Sequence, residues 1–244
     1  DYFSPTGQRW GNPLYRWDRL AEDGYRWWID RMAAALRQVD LVRLDHFRGL
    51  EKYYEIPASE PTALRGRWVD GPGEKLLAAL REGLGALPFI AEDLGMITPE
   101  VGALRDQFDL PGMRVLQFAF NGDSQNPFLP HNYVCNCVAY TATHDNDTTV
   151  GWLQSDDGAR HAIGYLNSSG KAIHWDFIRA VLASVADLAI IPLQDILGLG
   201  SEARMNLPGS QSGNWRWRLL PGQWSPESQQ HLANLTHIYG RTKT

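Results

Sequence analysis

Three carboxylates stand where short apolar runs end. Asp45 lies in LVRLDHFRG, Glu92 in PFIAEDLG and Asp145 in YTATHDNDT. In a (β/α) barrel the C-terminal ends of successive strands meet at one face, so acids that are far apart in sequence come together. Glycosidic bond chemistry uses carboxylates in this way, one to attack or shield the anomeric carbon and another to protonate the leaving oxygen. The pattern therefore favours a barrel enzyme that acts on sugars.

The elements that would position these acids alternate along the chain. Apolar residues at helical spacing, with turn and capping residues between them, predict helices that alternate with short apolar strands. Thr98, followed by Pro99 and Glu100, is expected to cap the second of the helices that follow Asp45 with its side chain. The predicted helices are 24–40, 74–83, 98–108 and 174–186. The predicted strands are 41–44, 87–91, 113–120, 133–143 and 187–193.

This alternation predicts an α/β fold of the TIM type, a (β/α) barrel. Such a barrel closes with eight strands, and about five are predicted here. The chain is therefore expected to carry the later strands of a barrel whose first part lies upstream. No linker divides it, so residues 1–244 are predicted to form the catalytic portion of a single domain. Residues 57–73 and 1–23, rich in Gly and Pro, are predicted to be loops, the first 23 residues being a long ordered one.

The charge and hydropathy of the chain exclude several classes of protein. The net charge is -5, the isoelectric point is about 5.8, and no long basic run is present, which argues against nucleic-acid binding. No run of about 18 apolar residues suggests a membrane span, and residues 1–7 do not resemble a signal peptide. The expectation is a soluble cytoplasmic protein with a neutral substrate.

The cysteines and the acidic clusters give little support for a metal. Cys135 and Cys137 are predicted to be buried free thiols in one strand, since side chains two residues apart face the same side and cannot bridge readily. His144, Asp145 and Asp147 form a cluster that could suggest metal ligation, but a hard cation needs more oxygen ligands and an imidazole site needs more histidines. We expect neither a metal nor another cofactor.

Five blocks of the sequence, taken in order, resemble the 4-α-glucanotransferases (amylomaltases, or disproportionating enzymes) of the α-amylase clan. The blocks are DYFSPTGQRWGNPLYRW, VRLDHFRG, IAEDLG, THDNDT and NLPGSQSGNWRWR. The resemblance covers nearly the whole chain. Members of this family begin well upstream of Asp1, so the resemblance implies that the chain is the C-terminal half or so of a longer enzyme.

The first acid has a clear chemical reading. Arg43 lies two residues before Asp45, on the same face of the predicted strand, where its guanidinium would keep the aspartate ionised. A structural ion pair at a strand end is the alternative. The resemblance implies that Asp45 is the nucleophile of a covalent glucosyl intermediate, and that Arg43 and the adjacent His46 bind substrate.

The second and third acids differ in how much the residues alone reveal. Glu92 follows the most apolar strand, so desolvation should raise its pKa toward that of a general acid/base, and a nearby Asp93 would add to this effect. Capping of the next turn is the alternative. Spacing does not choose between Asp145 and Asp147. The resemblance selects Asp145 as the acid that binds the sugar hydroxyls, with His144 beside it.

The remaining binding residues come mainly from the resemblance. The chain has ten tryptophans, and those on predicted helices, Trp27, Trp28 and Trp175, are expected to pack in the core or at an interface. Trp10 lies instead in the loop 1–23, which the resemblance places over the acceptor subsites together with Asp1, Tyr2 and Phe3. Asn214, in the last of the five blocks, is the remaining expected substrate contact.

The predicted activity is retaining transfer of α-1,4-linked glucosyl or dextrinyl units between maltooligosaccharides or starch-derived glucans. The expected partners are the glucan and the upstream part of the enzyme. An α-amylase-type hydrolase is the alternative enzyme, because a retaining carboxylate pair serves hydrolysis and transfer equally well. A glucan-binding fragment without catalysis is the alternative from another class.

Overall fold

A computed structural model describes residues 4–155 and 157–242. The chain forms two compact units, Asp1–Met113 and Arg114–Thr244. Each unit combines parallel strands with helices, which confirms the predicted α/β class. Within the described residues, no helix has the length and apolar character needed to cross a membrane.

The first unit is built around one pair of parallel strands, β1 and β4. Their register pairs Val42 with Phe89 and Leu44 with Ala91. Ala91 also donates its N–H to the carbonyl of Pro111 at 2.9 Å, so β4 is bonded on its second edge as well. The elements of this unit are α1 Trp17–Glu22, α2 Arg26–Leu36, β1 Val42–Leu44, α3 Arg48–Glu51, β2 Lys52–Glu55, β3 Arg67–Asp70, α4 Gly73–Leu84, β4 Phe89–Ala91 and α5 Pro99–Gln107.

The helices of this unit follow the predicted apolar spacing. In α4 the side chains of Leu76, Leu77 and Leu80 are buried against the strand pair, and Gly85 ends the helix with a left-handed backbone (φ 77°) that favours glycine. The N-terminus of α5 differs from the prediction. Pro99 is its first residue as expected, but the side chain of Thr98 makes no capping hydrogen bond.

Two stretches predicted to be loops contain regular structure. Residues Trp17–Glu22, near the end of the loop 1–23, form α1. The predicted loop 57–73 contributes β3, which pairs antiparallel with β2. Gly71 permits this hairpin to lie close to the chain, because a Cβ there would be 2.2 Å from the carbonyl oxygen of Leu50. Such pairing depends on contacts distant in sequence, which a local pattern does not reveal.

The second unit contains two parallel strands, β6 and β7. They belong to a sheet of order β5–β6–β7, whose first strand begins at Gly112, two residues before this unit. Its elements are β5 Gly112–Val115, β6 Cys137–Tyr140, α6 Thr149–Ser155, α7 Ala159–Tyr165, α8 Ile173–Ala183, β7 Leu188–Ile190, α9 Leu193–Ile196 and α10 Pro226–Ile238. Short 3-10 helices occur at Leu116–Ala119, Pro130–Asn132 and Ser201–Ala203.

Three predictions in this unit were too simple. The predicted strand 113–120 turns into a 3-10 helix after Val115. The strand 133–143 is confined to Cys137–Tyr140, where β7 is available to pair. Cys137 is buried in that strand, but Cys135 precedes it and is exposed, so the prediction of two buried thiols was wrong for Cys135.

The tryptophans predicted for the core are divided. Trp28 is partly buried against the apolar core of the first unit, and Trp175 against an apolar cluster of the second unit. Trp27, by contrast, is about half exposed. Trp27 lies at the outer side of an aromatic cluster with Tyr15, and the guanidinium of Arg31 stacks on its ring at 5.3 Å. Trp27 therefore does not lie in the core, and its packing at an interface stays a prediction.

The end of α8 is tied down by one arginine from the C-terminal segment. The guanidinium of Arg241 donates to the carbonyl oxygens of Leu182 at 3.0 Å, Ser184 at 2.8 Å and Ala186 at 2.6 Å. A helix leaves its last carbonyls without partners within the helix, and Arg241 bonds to one of these, that of Leu182. Its other two bonds are to carbonyls of the connection between α8 and β7. The connection that delivers β7 to the sheet depends on this side chain.

We expect Arg241→Ala to lower the free energy of unfolding by about 2–4 kcal/mol, because the carbonyls lose charge-assisted partners. Urea denaturation of the variant and the parent measures this change. Arg19→Ala, which removes a largely exposed arginine with a 3.5 Å ion pair, is the control and should change stability by less than about 0.5 kcal/mol. Equal effects of the two substitutions would contradict the role given to Arg241.

Candidate active site

The register of β1 and β4 places Asp45 and Glu92 next to each other. Each acid follows directly after the last paired residues, Leu44 and Ala91. The N–H of Glu92 donates to the carbonyl of Leu44 at 3.0 Å, and the N–H of Phe47 donates to the carbonyl of Glu92 at 3.1 Å. The pairing therefore continues past the strands, and the two acids leave neighbouring strands at the same level.

The carboxylate of Glu92 is held by two backbone groups. Its Oε2 accepts the N–H of His46 at 2.7 Å, and its Oε1 accepts the N–H of Leu94 at 3.0 Å. Desolvation is the largest influence on this group and raises its pKa above the ordinary value; the two backbone hydrogen bonds oppose this, and the charge of Asp45 adds to it. The raised pKa predicted from the apolar strand is confirmed in direction.

Asp93 does not act on Glu92 in the way the sequence suggested. Its carboxylate binds the guanidinium of Arg105 at 2.5 Å and accepts the N–H of Met113 at 2.7 Å. Gly112 leaves room for it, since a Cβ there would lie 2.4 Å from Asp93 Oδ2. Asp93 is a buried structural acid, and the carboxylate that raises the pKa of Glu92 is Asp45.

Asp45 has a different environment from Glu92. Its side chain is 77% exposed, and its Oδ1 accepts a hydrogen bond from Arg43 Nη2 at 2.7 Å. This is the ion pair that the spacing of the two residues predicted. An exposed, paired carboxylate beside a desolvated one gives the site one acid that a substrate can reach and one that favours holding a proton.

His46 connects the two acids. It adopts a left-handed backbone (φ 50°), a region in which histidine is enriched among non-glycine residues. Gly49 accommodates its ring, because a Cβ at that position would be 2.9 Å from His46 Cδ2. Burial lowers the pKa of the imidazole, which favours its neutral form. The backbone strain lies in the residue whose N–H holds Glu92.

In the second unit, Asp145 is fixed by residues that follow much later in the chain. Its Oδ1 accepts a hydrogen bond from Asn206 Nδ2 at 2.6 Å and lies 3.4 Å from His144 Nε2. Arg204 donates to its carbonyl oxygen at 2.6 Å, and the N–H of Asn206 donates to the carbonyl of His144 at 3.0 Å. The side chain remains about half exposed, so it can still meet a ligand.

The motif that carries Asp145 is also anchored at both ends. Asp195 is fully buried and accepts the hydroxyl of Thr141 at 2.6 Å and the N–H of Thr149 at 2.7 Å. Burial raises its pKa, and these hydrogen bonds oppose that shift. Asp147 accepts the hydroxyl of Ser201 at 2.7 Å and the N–H of Thr148 at 2.7 Å. Both oxygens of Asp147 therefore serve the loop, which favours Asp145 as the acid that meets a ligand.

The other residues expected to bind substrate are less well defined. Trp10 is 61% exposed and donates its indole N–H to Gln8 Oε1 at 3.1 Å. The side chain of Asn214 accepts the N–H of Leu207 at 3.0 Å, so it closes a turn of the segment that follows Asn206. Asp1, Tyr2 and Phe3 lie outside the described residues. Within the described ranges, no three His, Cys, Asp or Glu side chains are grouped to hold a metal ion.

Four residues of the site were missed by sequence reasoning. Arg204 and Asn206 bond to Asp145, Asp195 anchors its loop, and Trp215 packs against His144 at 5.3 Å between ring centroids. Trp215 belongs to a block that the resemblance covered, and that signal could have drawn attention to it. Arg204 and Asp195 lie outside all quoted blocks, so only their long-range hydrogen bonds reveal them.

The chain is similar to known proteins both in sequence and in fold. A sequence model of the 4-alpha-glucanotransferase family matches residues 1–223. The 4-alpha-glucanotransferases of Thermus thermophilus and Synechocystis are 57% and 55% identical to the chain, each over 99% of its length. The structure of an amylomaltase from Streptococcus agalactiae in complex with acarbose superposes with a TM-score of 0.94 at 36% identity, covering all of the chain.

The chain belongs to the 4-alpha-glucanotransferase family. It spans about half the length of the relatives it matches, 50% of the Thermus enzyme, 49% of the Synechocystis enzyme and 50% of the Streptococcus structure.

The raised pKa of Glu92 predicts a pH-dependent cost in stability. When folding raises the pKa of a carboxyl group, the folded protein becomes less stable as the pH rises from the pKa of the unfolded chain toward that of the folded protein. For Glu92 the pKa in the unfolded chain is about 4.5. Glu92→Gln cannot ionise. We therefore expect the stability of the variant relative to the parent to increase as the pH rises above about 4.5, and to level off above the folded pKa.

Urea denaturation midpoints measured from about pH 4 to about pH 8 test this expectation. Glu82→Gln, on an exposed position of α4, is the matched control. A difference between Glu92→Gln and the parent that stays constant over this range would show that Glu92 is not desolvated in the folded protein.

Proposed function

We propose that the chain is the catalytic part of a retaining 4-α-glucanotransferase that moves α-1,4-linked glucosyl or dextrinyl units between glucans. The observation that carries this proposal is the β1–β4 register, which sets an exposed, ion-paired Asp45 beside a desolvated Glu92. Two carboxyl groups with opposed environments on adjacent strand ends suit glycosidic cleavage, in which one group gives a proton and the other acts as a carboxylate. Membership of the family supports the choice of a transferase.

In the proposed mechanism Asp45 attacks the anomeric carbon of the donor and Glu92 gives its proton to the leaving glycosidic oxygen. A glucosyl ester forms on Asp45 and the remainder of the donor leaves with a free 4-hydroxyl. Glu92, now ionised, takes the proton of an incoming 4-hydroxyl, and that oxygen displaces Asp45 to restore an α-1,4 bond. Arg43, which bonds to Asp45 Oδ1, would orient this carboxylate for attack and balance the charge that returns to it when the ester is displaced.

The second unit is proposed to supply substrate binding. Asp145 would accept the hydroxyls at C2 and C3 of the reacting sugar, with His144 and Asn214 as further contacts. Asn206 and Arg204 fix Asp145 without covering it, which supports a binding role for that acid. No cofactor takes part in this mechanism. We place the reaction in the cytoplasm, and we expect the glucan to be the only other reactant.

The fold is proposed to be the later part of a TIM-type barrel, with residues 1–244 acting as one catalytic portion. The parallel strands alternating with helices and the coverage of about half of each relative support this proposal. Residues 1–23, including Asp1, Tyr2, Phe3 and Trp10, would form the acceptor-site loop. The upstream part of the enzyme would complete the barrel and is the expected partner within the same protein.

The activity assay uses maltotriose and compares the 244-residue chain with a chimaera that joins it to the preceding half of the Thermus enzyme. Transfer produces longer maltooligosaccharides together with glucose, whereas hydrolysis increases the number of reducing ends. We expect transfer by the chimaera and little or none by the chain alone, which should self-associate through unpaired strand edges. Full turnover by a monomeric chain would refute the need for completion, and reducing ends without longer products would favour the hydrolase.

Asp45→Asn should abolish both transfer and hydrolysis, because no covalent intermediate can form. Loss of about 4 kcal/mol of transition-state stabilisation corresponds to about a thousandfold in rate. Asp70→Asn, at an exposed acid of β3, is the control and should keep the parent rate. Mass spectrometry of Glu92→Gln treated with a glucosyl fluoride should find the trapped sugar on Asp45, and its recovery on another acid would refute the assignment.

Trp10→Ala should move the products from transfer toward hydrolysis. An exposed indole is a stacking platform for an acceptor sugar, and its loss lets water compete for the intermediate. The ratio of glucose transferred to glucose released from maltotriose measures the change. Trp27→Ala, at the exposed tryptophan of α2, is the matched control, and a ratio that shifts equally in both variants would remove Trp10 from the acceptor site.

A further inference from the structure

Trp215 has an unusual backbone conformation. It lies in the left-handed region (φ 61°), which bulky side chains rarely adopt and which costs conformational energy. Two hydrogen bonds hold it there. Its N–H donates to the carbonyl of Met205 at 2.7 Å, and its own carbonyl accepts Arg218 Nη1 at 3.0 Å. The turn is therefore fixed by its neighbours on both sides.

The indole of Trp215 lies against His144. The two ring centroids are 5.3 Å apart and the planes are inclined by 34°. The Nε2 atom of the same imidazole is 3.4 Å from Asp145 Oδ1. The backbone of His144 is held separately, through the N–H of Asn206. The indole is thus the ring that packs on the imidazole of the residue preceding Asp145.

Stability alone gives a poor account of this tryptophan. Its side chain is 54% exposed, so it buries much less apolar surface than a core tryptophan. A residue that combines backbone strain with partial exposure is more typical of a functional site, where surrounding bonds maintain a costly conformation. The neighbouring residues Asn206 and Arg204, which hold Asp145, belong to the same segment.

We propose that Trp215 is a positioning residue, whose indole fixes the ring of His144 so that Nε2 stays directed at Asp145 Oδ1. The inference rests on the proposed function, because it is through glucan binding that Asp145 affects the rate. With His144 and Asn206 both on Oδ1, the other carboxylate oxygen is the one presented to the sugar hydroxyls. A rotated imidazole would leave Asn206 as the one remaining side chain, among the described residues, that holds Oδ1, so the carboxylate would be less firmly oriented toward them.

Trp215→Gly separates positioning from stability. Glycine adopts φ 61° without strain, so the variant removes the ring and relieves the backbone while the turn can stay as it is. We expect no fall in the thermal midpoint, together with a loss of about tenfold to a hundredfold in kcat for maltotriose transfer and a smaller change in KM. Trp215→Phe keeps an aromatic ring and should recover most of the rate. Trp224→Gly, at a partly exposed tryptophan of the same segment, is the matched control.

A double-mutant cycle with His144→Ala tests whether the effect passes through His144. If it does, Trp215→Gly has no further effect once the imidazole is gone. Additive losses would show that Trp215 acts directly on the sugar or on the fold, and would overturn the proposal. A parent-like kcat in Trp215→Gly, or a fall in the thermal midpoint that accounts for the lost activity, would overturn it as well.

The kinetic measurements use whichever form of the protein transfers glucose in the assay above. If no form does, the proposed function fails, and the imidazole ¹⁵N resonances of His144 in the 244-residue chain test the positioning by themselves. Resonances that move in Trp215→Gly and return in Trp215→Phe support the inference. Resonances unchanged in Trp215→Gly contradict it.

Discussion

The arrangement of the two candidate acids in the first unit depends on one hydrogen bond, from the N–H of Glu92 to the carbonyl of Leu44. It continues the parallel register of β1 and β4 by one residue, and so brings Asp45 and Glu92 to the same level. A slip of one residue would turn each side chain of a strand to the opposite face. The register is stabilised by burial, because Leu44, Phe89 and Ala91 are packed beneath the helices of that unit.

The two acids at this edge differ because their surroundings differ. Asp45 projects into solvent and binds Arg43, whereas Glu92 is withdrawn from water and held by two backbone N–H groups. A desolvated carboxylate lowers the stability of the folded protein at neutral pH. The neighbouring Asp93 is paired with Arg105 and accepts the N–H of Met113.

The second unit holds its acid by a different means. Asp145 lies in a short polar loop that is bonded to several side chains of residues 195–206, besides Gln117 and the internal pair Thr143 and Asn146. Asp195 bonds to residues on both sides of the loop, and Asn206 and Arg204 hold Asp145 itself. The loop therefore has little freedom of its own, and its order depends on a segment that contains few regular elements.

Local patterns in the sequence were sufficient for part of the fold. Apolar spacing predicted the helices now seen as α2, α4, α5 and α8, and short apolar runs predicted where β1, β4, β5, β6 and β7 begin or lie. The same patterns missed the β2–β3 hairpin and the helices α1, α3, α6, α7, α9 and α10. The hairpin is defined by pairing across a long loop, and none of these six helices was apparent from apolar spacing. Contacts far apart in sequence decide such elements.

The candidate site divides in the same way. The sequence by itself determined which side chains end the strands, namely Asp45 and Glu92, and that Arg43 shares a face with Asp45, because these follow from strand periodicity. It did not determine that Asp93 and Asp147 bond within the fold, that Asn206 bonds to Asp145, or that Trp215 packs against His144. Only the tertiary structure decided those roles. Hydrogen bonding and ring packing act between atoms that are close in space, and the order of residues along the chain does not fix which atoms those are.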